Sequence, residues 1–214
     1  MGTITTNFAN GLTTNGVLGA STINDNSISN ITSIVGGGAL KLISSQTASA
    51  SASISFTSGI DSSYRTYMFK FININPSDDG VNFQFNLSTD SGSNYNVTKT
   101  STTFYAYHDE ADTSTAVTYN TGADLAQSTA YQSIQVSNGS DADQALSGTL
   151  HLYNPSDTTF VKHFIANTST VTYPDFNSNF FTAGYGNTTS AINAINFKFE
   201  TGNFDGTIHM YGIA

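Results

Sequence analysis

The chain has 214 residues, of which only 10% are charged, and it contains 15 Phe, 11 Tyr and no cysteine. This length suits one large domain, or one domain with an attachment segment. Six Lys and Arg against 15 Asp and Glu give a net charge of −9, which makes nucleic acid and anionic membranes poor partners. The lack of cysteine excludes disulfides and thiolate metal sites.

Residues 1–38 differ from the rest because they are rich in Thr, Asn, Ser and Gly. They show no secretory signal peptide, and no apolar run in the chain approaches the ~20 residues of a membrane-spanning helix. A segment this polar cannot offset its chain entropy alone, so we expect an attachment arm that orders on a partner. The alternative, that residues 1–38 add a strand pair to the same domain, stays open. The expected docking anchors are the scattered apolar side chains Ile4, Phe8, Leu12, Val17, Leu18, Ile23, Ile28, Ile31 and Ile34.

From residue 39 onward, alternating apolar and polar residues between turn sequences indicate β-strands. Residues 123–131 are the one candidate short helix, and without crossover helices a parallel sheet cannot be connected. The sequence therefore predicts an all-β, antiparallel β-sandwich of jelly-roll type over residues 39–214, with a polar N-terminal arm. The predicted strands lie near 39–45, 50–57, 65–74, 81–88, 94–107, 113–119, 131–137, 146–153, 158–166, 178–185, 192–200 and 206–213.

A short internal repeat connects two of these predicted strands. The sequence GTLHLY at 148–153 matches GTIHMY at 206–211. The repeat is explained by two similar strands in one sandwich, or by two half-domains with pseudo-symmetry, as in a double Greek key.

The spacing Ser88-x-Asp90-x-Gly92-x-x-Tyr95 resembles the Asp-box of sialidases. We expect Asp90 to accept backbone amides two residues on, Gly92 to take a positive φ, and Tyr95 to restart the next strand against the turn. Sialidases hold the substrate carboxylate with three arginines, and this chain has Arg65 alone. We therefore predict a structural β-hairpin and no active site at Ser88, Asp90, Gly92 and Tyr95.

The remaining titratable residues offer no catalytic pattern. Glu110 and Glu200 are the only glutamates, whereas a glycosidase needs two carboxylates across the scissile bond. The cluster HDEAD at 108–112 fits a metal or acid/base site, or a solvated loop. The four histidines lack metal-ligand spacing, and the Asp-rich turns do not form an EF-hand loop. We predict no enzyme, no cofactor and no metal.

Three stretches, 42–95, 150–164 and 187–213, together resemble small structural proteins of marine tailed bacteriophages of the cyanophage and pelagiphage type. The most specific pieces are FTSGID, TSAIN and the terminal YGI. The resemblance implies a virion-surface β-sandwich assembled in the host cytoplasm: a capsid decoration or cement protein, or a fibre head. It also implies a homotrimer that contacts other capsid or tail proteins. The N-terminal arm falls outside the resemblance, which fits a variable attachment segment.

Two other functions stay open beside this one. A lectin-like receptor-binding module of a tail fibre would place exposed Tyr and Asp against host glycans. An enzyme such as a depolymerase is the third possibility.

Overall fold

The computed structural model describes residues 39–213, so the predicted arm and its docking anchors lie outside the described residues. Twelve strands form in this part of the chain, and each overlaps one of the predicted ranges. They are β1 (Leu40–Ser51), β2 (Ile54–Phe56), β3 (Thr66–Pro76), β4 (Val81–Ser88), β5 (Lys99–Asp109), β6 (Thr115–Tyr119), β7 (Gln132–Asn138), β8 (Leu146–Tyr153), β9 (Lys162–Val171), β10 (Phe176–Gly186), β11 (Ala194–Phe199) and β12 (Phe204–Ile213).

The strands form two antiparallel sheets, which confirms the predicted β-sandwich. The large sheet has eight strands in the order β1-β12-β3-β8-β9-β10-β5-β6, and the small sheet has four in the order β2-β11-β4-β7. The first four strands of the large sheet match the small sheet position by position. At each position the two strands are neighbours in sequence: β1 and β2, β12 and β11, β3 and β4, β8 and β7. The second half, β9-β10-β5-β6, has no such counterpart and is called the extension below. The jelly-roll type stays a prediction.

The core between the sheets is built from aromatic rings. Phe197 of β11 is fully buried. Its ring centroid lies within 6.4 Å of the centroids of five phenylalanines from both sheets. Edge-to-face, tilted and offset-stacked ring pairs of this kind add to the free energy gained by burying their area. The five are Phe56, Phe69, Phe71, Phe83 and Phe85.

The interior below the extension is much more polar. Thr168 of β9 is fully buried, and its hydroxyl donates to Ile134 O at 2.6 Å and contacts Gln135 Oε1 at 2.9 Å. Ser178 and Thr182 of β10 are also buried on this side. The hydrogen bonds of Thr168, and one from Gln135 Nε2 to Ser178 Oγ at 3.4 Å, attach β7 to the extension, where the other half of the sandwich uses apolar packing.

The helix expected at 123–131 does not form. The backbone amides and carbonyls of this segment pair with β5, where Lys99 N donates to Ser128 O at 2.8 Å and Ser101 N donates to Leu125 O at 2.9 Å. A backbone that pairs with a neighbouring strand cannot also form i to i−4 bonds. The tertiary contact with the open edge of β5 therefore overrides the weak helical preference.

Replacing Phe197 with alanine should lower the free energy of unfolding by about 3–5 kcal/mol, because the change leaves a cavity where rings of both sheets meet. Urea denaturation followed by far-UV circular dichroism measures this loss. Phe160→Ala is the control, since Phe160 is 69% exposed and its removal should change stability by less than about 0.5 kcal/mol. A loss below about 1 kcal/mol for Phe197→Ala would contradict the assigned core.

Candidate functional site

The Asp-box-like segment forms a tight turn after β4. Asp90 Oδ1 accepts from the Ser88 hydroxyl at 2.6 Å and from the Asn94 amide at 2.9 Å, while Asp90 Oδ2 accepts from Asn94 Nδ2 at 2.7 Å. These donors, the Ser88 hydroxyl first, lower the pKa of Asp90 to about 2. The amide two residues after Asp90, Gly92 N, donates to Ser88 Oγ at 3.0 Å. The prediction that Asp90 accepts this amide is therefore wrong.

Gly92 and Tyr95 lie against each other in this turn. Gly92 has φ +87°, and a Cβ there would meet Tyr95 Oη at 2.7 Å and Thr57 Cγ2 at 2.8 Å. The Tyr95 ring thus packs on the turn, although β5 begins at Lys99 and not near residue 94. A side chain at position 92 would be strained both by the backbone and by the lack of space.

The turn does not close the predicted β-hairpin. β4 pairs with β11 and β7 in the small sheet, whereas β5 pairs with β10 and β6 in the large sheet. The one backbone bond back to β4 runs from Val97 N to Leu87 O at 3.4 Å. The segment therefore carries the chain from one sheet to the other, which alternation in β4 alone does not reveal.

A buried lysine lies at this crossing. Lys99 is fully buried, and its Nζ donates to Asn86 Oδ1 at 2.5 Å and to Val97 O at 2.8 Å. Removal from water lowers the pKa of Lys99 to about 7. Asn86 is also fully buried, and its Nδ2 donates to Tyr95 O at 2.7 Å and Thr129 O at 3.0 Å. Sequence alternation predicts an outward Asn86 but not the loop and lysine that cover it.

The HDEAD cluster at 108–112 closes the turn between β5 and β6. Asp109 Oδ1 accepts from the amides of Thr113 at 2.8 Å and Ser114 at 2.9 Å, and the Thr113 hydroxyl donates to Asp109 Oδ2. The same bonds, led by the Thr113 hydroxyl, lower the pKa of Asp109. His108 Nε2 lies 3.1 Å from the exposed Asp112 Oδ1. These contacts use the carboxylates within the turn itself.

The repeated histidines do not pair. The repeat places His151 on β8 and His209 on β12, but β3 lies between these strands, with Lys70 opposite His209 and Met68 opposite His151. Within residues 39–213, no three His, Asp or Glu side chains group closely enough to hold a metal ion. No helix in that range is long and apolar enough to cross a membrane.

An aromatic cleft lies beside the edge of the small sheet, a feature that sequence reasoning missed. Its volume is about 290 Å³, and it is called the aromatic cleft below. Near-parallel rings follow one another in the order Phe180, Tyr105, Tyr107 and Phe176, with centroid spacings of 5.7, 5.8 and 5.6 Å. The lining residues are Tyr105, Tyr107, Val136, Ser137, Thr172, Pro174, Phe176 and Ser178. The sequence shows aromatic residues at every second position in parts of 103–107 and 176–180. It does not show the register that places these two strands side by side.

The opposite, outer face of the large sheet carries a group of exposed apolar side chains and few charges. By strand register, seven of the nine exposed large apolar residues of the described chain lie on this face. Phe104 and Phe181 stack there with centroids 5.0 Å apart. Lys70 and Asp205 are the only Lys, Arg, Asp or Glu residues that the register places on this face within the described strands. The seven are Leu40, Leu42, Phe104, Val117, Tyr119, Ile165 and Phe181.

Comparisons with known proteins found no match: no family model, no curated protein and no solved structure matches this chain.

Asp90→Ala should lower the melting temperature at pH 7 by about 2–4 °C, because the turn loses three hydrogen bonds to its carboxylate. The folded pKa of Asp90, about 2, lies below the ordinary 3.8 of an unfolded chain. The charge-dependent stabilisation is therefore complete above pH 4 and is lost as the pH falls through about 2. Calorimetry should show the wild type and the variant converging over that window. Asp143→Ala, an exposed aspartate without a side-chain bond in the described residues, is the control and should change little.

Lys99→Met should remove a pH dependence of stability. Unfolded Lys99, with pKa 10.5, holds a proton that the folded form has lost above about pH 7. Wild-type stability relative to the variant should therefore rise with pH between about 7 and 10, by about 1.4 kcal/mol per pH unit. Urea unfolding across this range measures the difference. Lys70→Met, at an exposed lysine, is the control; equal slopes for wild type and Lys99→Met would show that Lys99 stays charged when buried.

Proposed function

We propose that this protein is a non-enzymatic structural protein of the bacteriophage virion surface, a capsid decoration or fibre-head protein, that assembles with further copies of itself. The observation that carries the proposal is the outer face of the large sheet. Exposed apolar patches of this breadth mark protein contact surfaces in soluble proteins. The assignment to a phage virion is supported by the resemblance of stretches within residues 42–213 to small structural proteins of marine tailed phages.

The outer face is large enough for a stable contact. Eight strands about 4.8 Å apart, with about ten residues each on average, give a surface of roughly 1,100 Å². Specific interfaces bury on the order of 800 Å² per partner. Lys70 and Asp205 are the permanent charges of this face, so a contact with neighbouring copies requires the desolvation of few ions. In a three-fold ring, one part of the face would contact a different part of the next copy. We propose a homotrimer as the assembled form.

Residues 1–38 are proposed to attach this assembly to the neighbouring capsid or tail proteins. The support is compositional: nine isolated apolar side chains lie in a segment otherwise made of Thr, Asn, Ser and Gly. Strand addition to a neighbouring chain would give such a segment both backbone pairing and burial.

The finer jelly-roll assignment is also a proposal. The orders β1-β12-β3-β8 and β2-β11-β4-β7 place consecutive strands at matching positions of two four-stranded arrays. This is the order that results when one long antiparallel hairpin is wrapped across two sheets. In this assignment β5, β6, β9 and β10 are insertions that widen one sheet.

A second candidate function is glycan recognition by a tail-fibre module. The aromatic cleft favours it, since aromatic rings beside hydroxyl groups are a frequent lining of sugar sites.

Val117→Glu tests the assembly role. Val117 is 75% exposed on β6, so a glutamate should leave the fold intact while placing a charge in the contact face. At micromolar concentration the wild type should sediment as a trimer and the variant as a 22.7 kDa monomer. Phe160→Glu is the matched control, because Phe160 is an exposed apolar residue in the loop between β8 and β9, outside the strands that form this face. A monomeric wild type, or equal dissociation of the control, would refute self-assembly through the outer face.

A further inference from the structure

We propose that the aromatic cleft binds one neutral pyranose ring, stacked on Tyr107 and Phe176 and hydrogen-bonded by hydroxyl groups of the lining. The inference rests on the second candidate function, glycan recognition, and is independent of assembly through the outer face.

The ring geometry leaves aromatic surface for a ligand. Tyr107 and Phe176 are 5.6 Å apart between centroids, with an angle of 17° between their planes. Planes in contact are about 3.5 Å apart, so near-parallel rings at this spacing are offset sideways by roughly 4.4 Å. Each ring therefore covers only part of its neighbour. The apolar C–H face of a pyranose fits such partly uncovered rings.

The lining also provides free hydroxyl groups. Within the described residues, the side-chain hydroxyls of Tyr105, Tyr107 and Ser137 form no hydrogen bond with protein atoms, whereas Thr172 Oγ1 accepts from Phe176 N at 3.3 Å. Tyr105 and Tyr107 are half-buried, so part of each side chain remains accessible to a ligand. A sugar, which combines apolar C–H faces with a rim of hydroxyls, matches this combination of groups.

The backbone around the cleft is shaped by a bulge. Val81 pairs with Asn138 and Phe83 with Gln135, so β7 carries one more residue than β4 between these pairs. Ser137 has φ +53°, and Asn82 Oδ1 accepts from its amide at 3.1 Å. Asp175, in the turn before β10, has φ +59°. Bulges and left-handed residues beside a concavity redirect side chains at binding sites, and they are costly in a strand that serves packing alone.

The lining selects a neutral ligand of small size. None of its eight residues is charged, and the nearby Asp109 is occupied by Thr113 and Ser114. An anionic sugar would lose hydration without gaining a cation. The volume of about 290 Å³ lies at the lower end of small-molecule sites and suits a single ring rather than a long chain. Proline-rich peptides also dock on aromatic grooves, but they extend along several turns of polyproline helix.

Saturation-transfer NMR on the full chain tests the proposal. The probes are the methyl glycosides of α-glucose, α-mannose and β-galactose, with sodium glucuronate as the charged counterpart. We expect at least one neutral glycoside to receive saturation from the tyrosine protons on its ring C–H groups, with a dissociation constant on the order of 1 mM. Glucuronate should bind at least about tenfold more weakly.

Variants then locate the site. Tyr107→Leu keeps most of the apolar volume but removes the ring face, and should weaken binding at least about tenfold; Ser137→Ala should weaken it by a smaller factor. Phe104→Ala is the matched control, because it removes a stacked ring from the same strand on the opposite face. Binding in this control should equal that of the wild type.

Several outcomes would overturn the inference. The first is no saturable transfer to any neutral glycoside up to about 50 mM. The second is a loss of sugar binding in Phe104→Ala equal to that in Tyr107→Leu. The third is binding of a proline decamer that Tyr107→Leu abolishes, while no sugar binds. Circular dichroism verifies the fold of each variant, and should Tyr107→Leu unfold, Ser137→Ala alone decides. Sedimentation of Tyr107→Leu and Ser137→Ala should match the wild type, so a failed sugar test leaves the assembly proposal standing.

Discussion

The structure depends on the different sizes of its two sheets: a small sheet of four strands faces a large sheet of eight. The aromatic core around Phe197 joins the small sheet to β3, in the first half of the large one, and supplies the apolar burial that holds the sandwich together. The extension must be covered in another way. β7, the segment 120–131 and buried hydroxyl and amide groups do so, with hydrogen bonds in the place of ring packing.

This difference in sheet size explains the unusual features near β5. A buried polar group needs a partner, and Thr168, Gln135 and Asn86 find theirs in neighbouring strands and loops. Lys99 is enclosed where the chain crosses between the sheets, which lowers its pKa because burial penalises the charged form. At the edge of β7, Tyr105 and Tyr107 are only half-buried, and the aromatic cleft lies there.

The two faces of the large sheet therefore suit different partners. The outer face is broad, carries exposed apolar side chains and has few charges, which suits contact with another protein surface. The cleft on the inner side is small and combines rings with hydroxyls, which suits a small polar ligand. A virion-surface protein that assembles through one face keeps the other available for recognition. Both roles are proposals, and different variants of the same chain separate them.

The sequence by itself determined the all-β class, the twelve strands and the buried side of β4, because alternation with period two and turn residues are local properties. The Ser88–Tyr95 turn was likewise predicted, since Asp90, Gly92 and Tyr95 interact within a few residues of one another. Only the tertiary structure decided that this turn joins two sheets, that residues 123–131 pair with β5, and that Lys99 is buried. It alone aligned Tyr107 with the ring of Phe176. Strand partners far apart in sequence are chosen by the packing of the whole core, and local alternation does not record that choice.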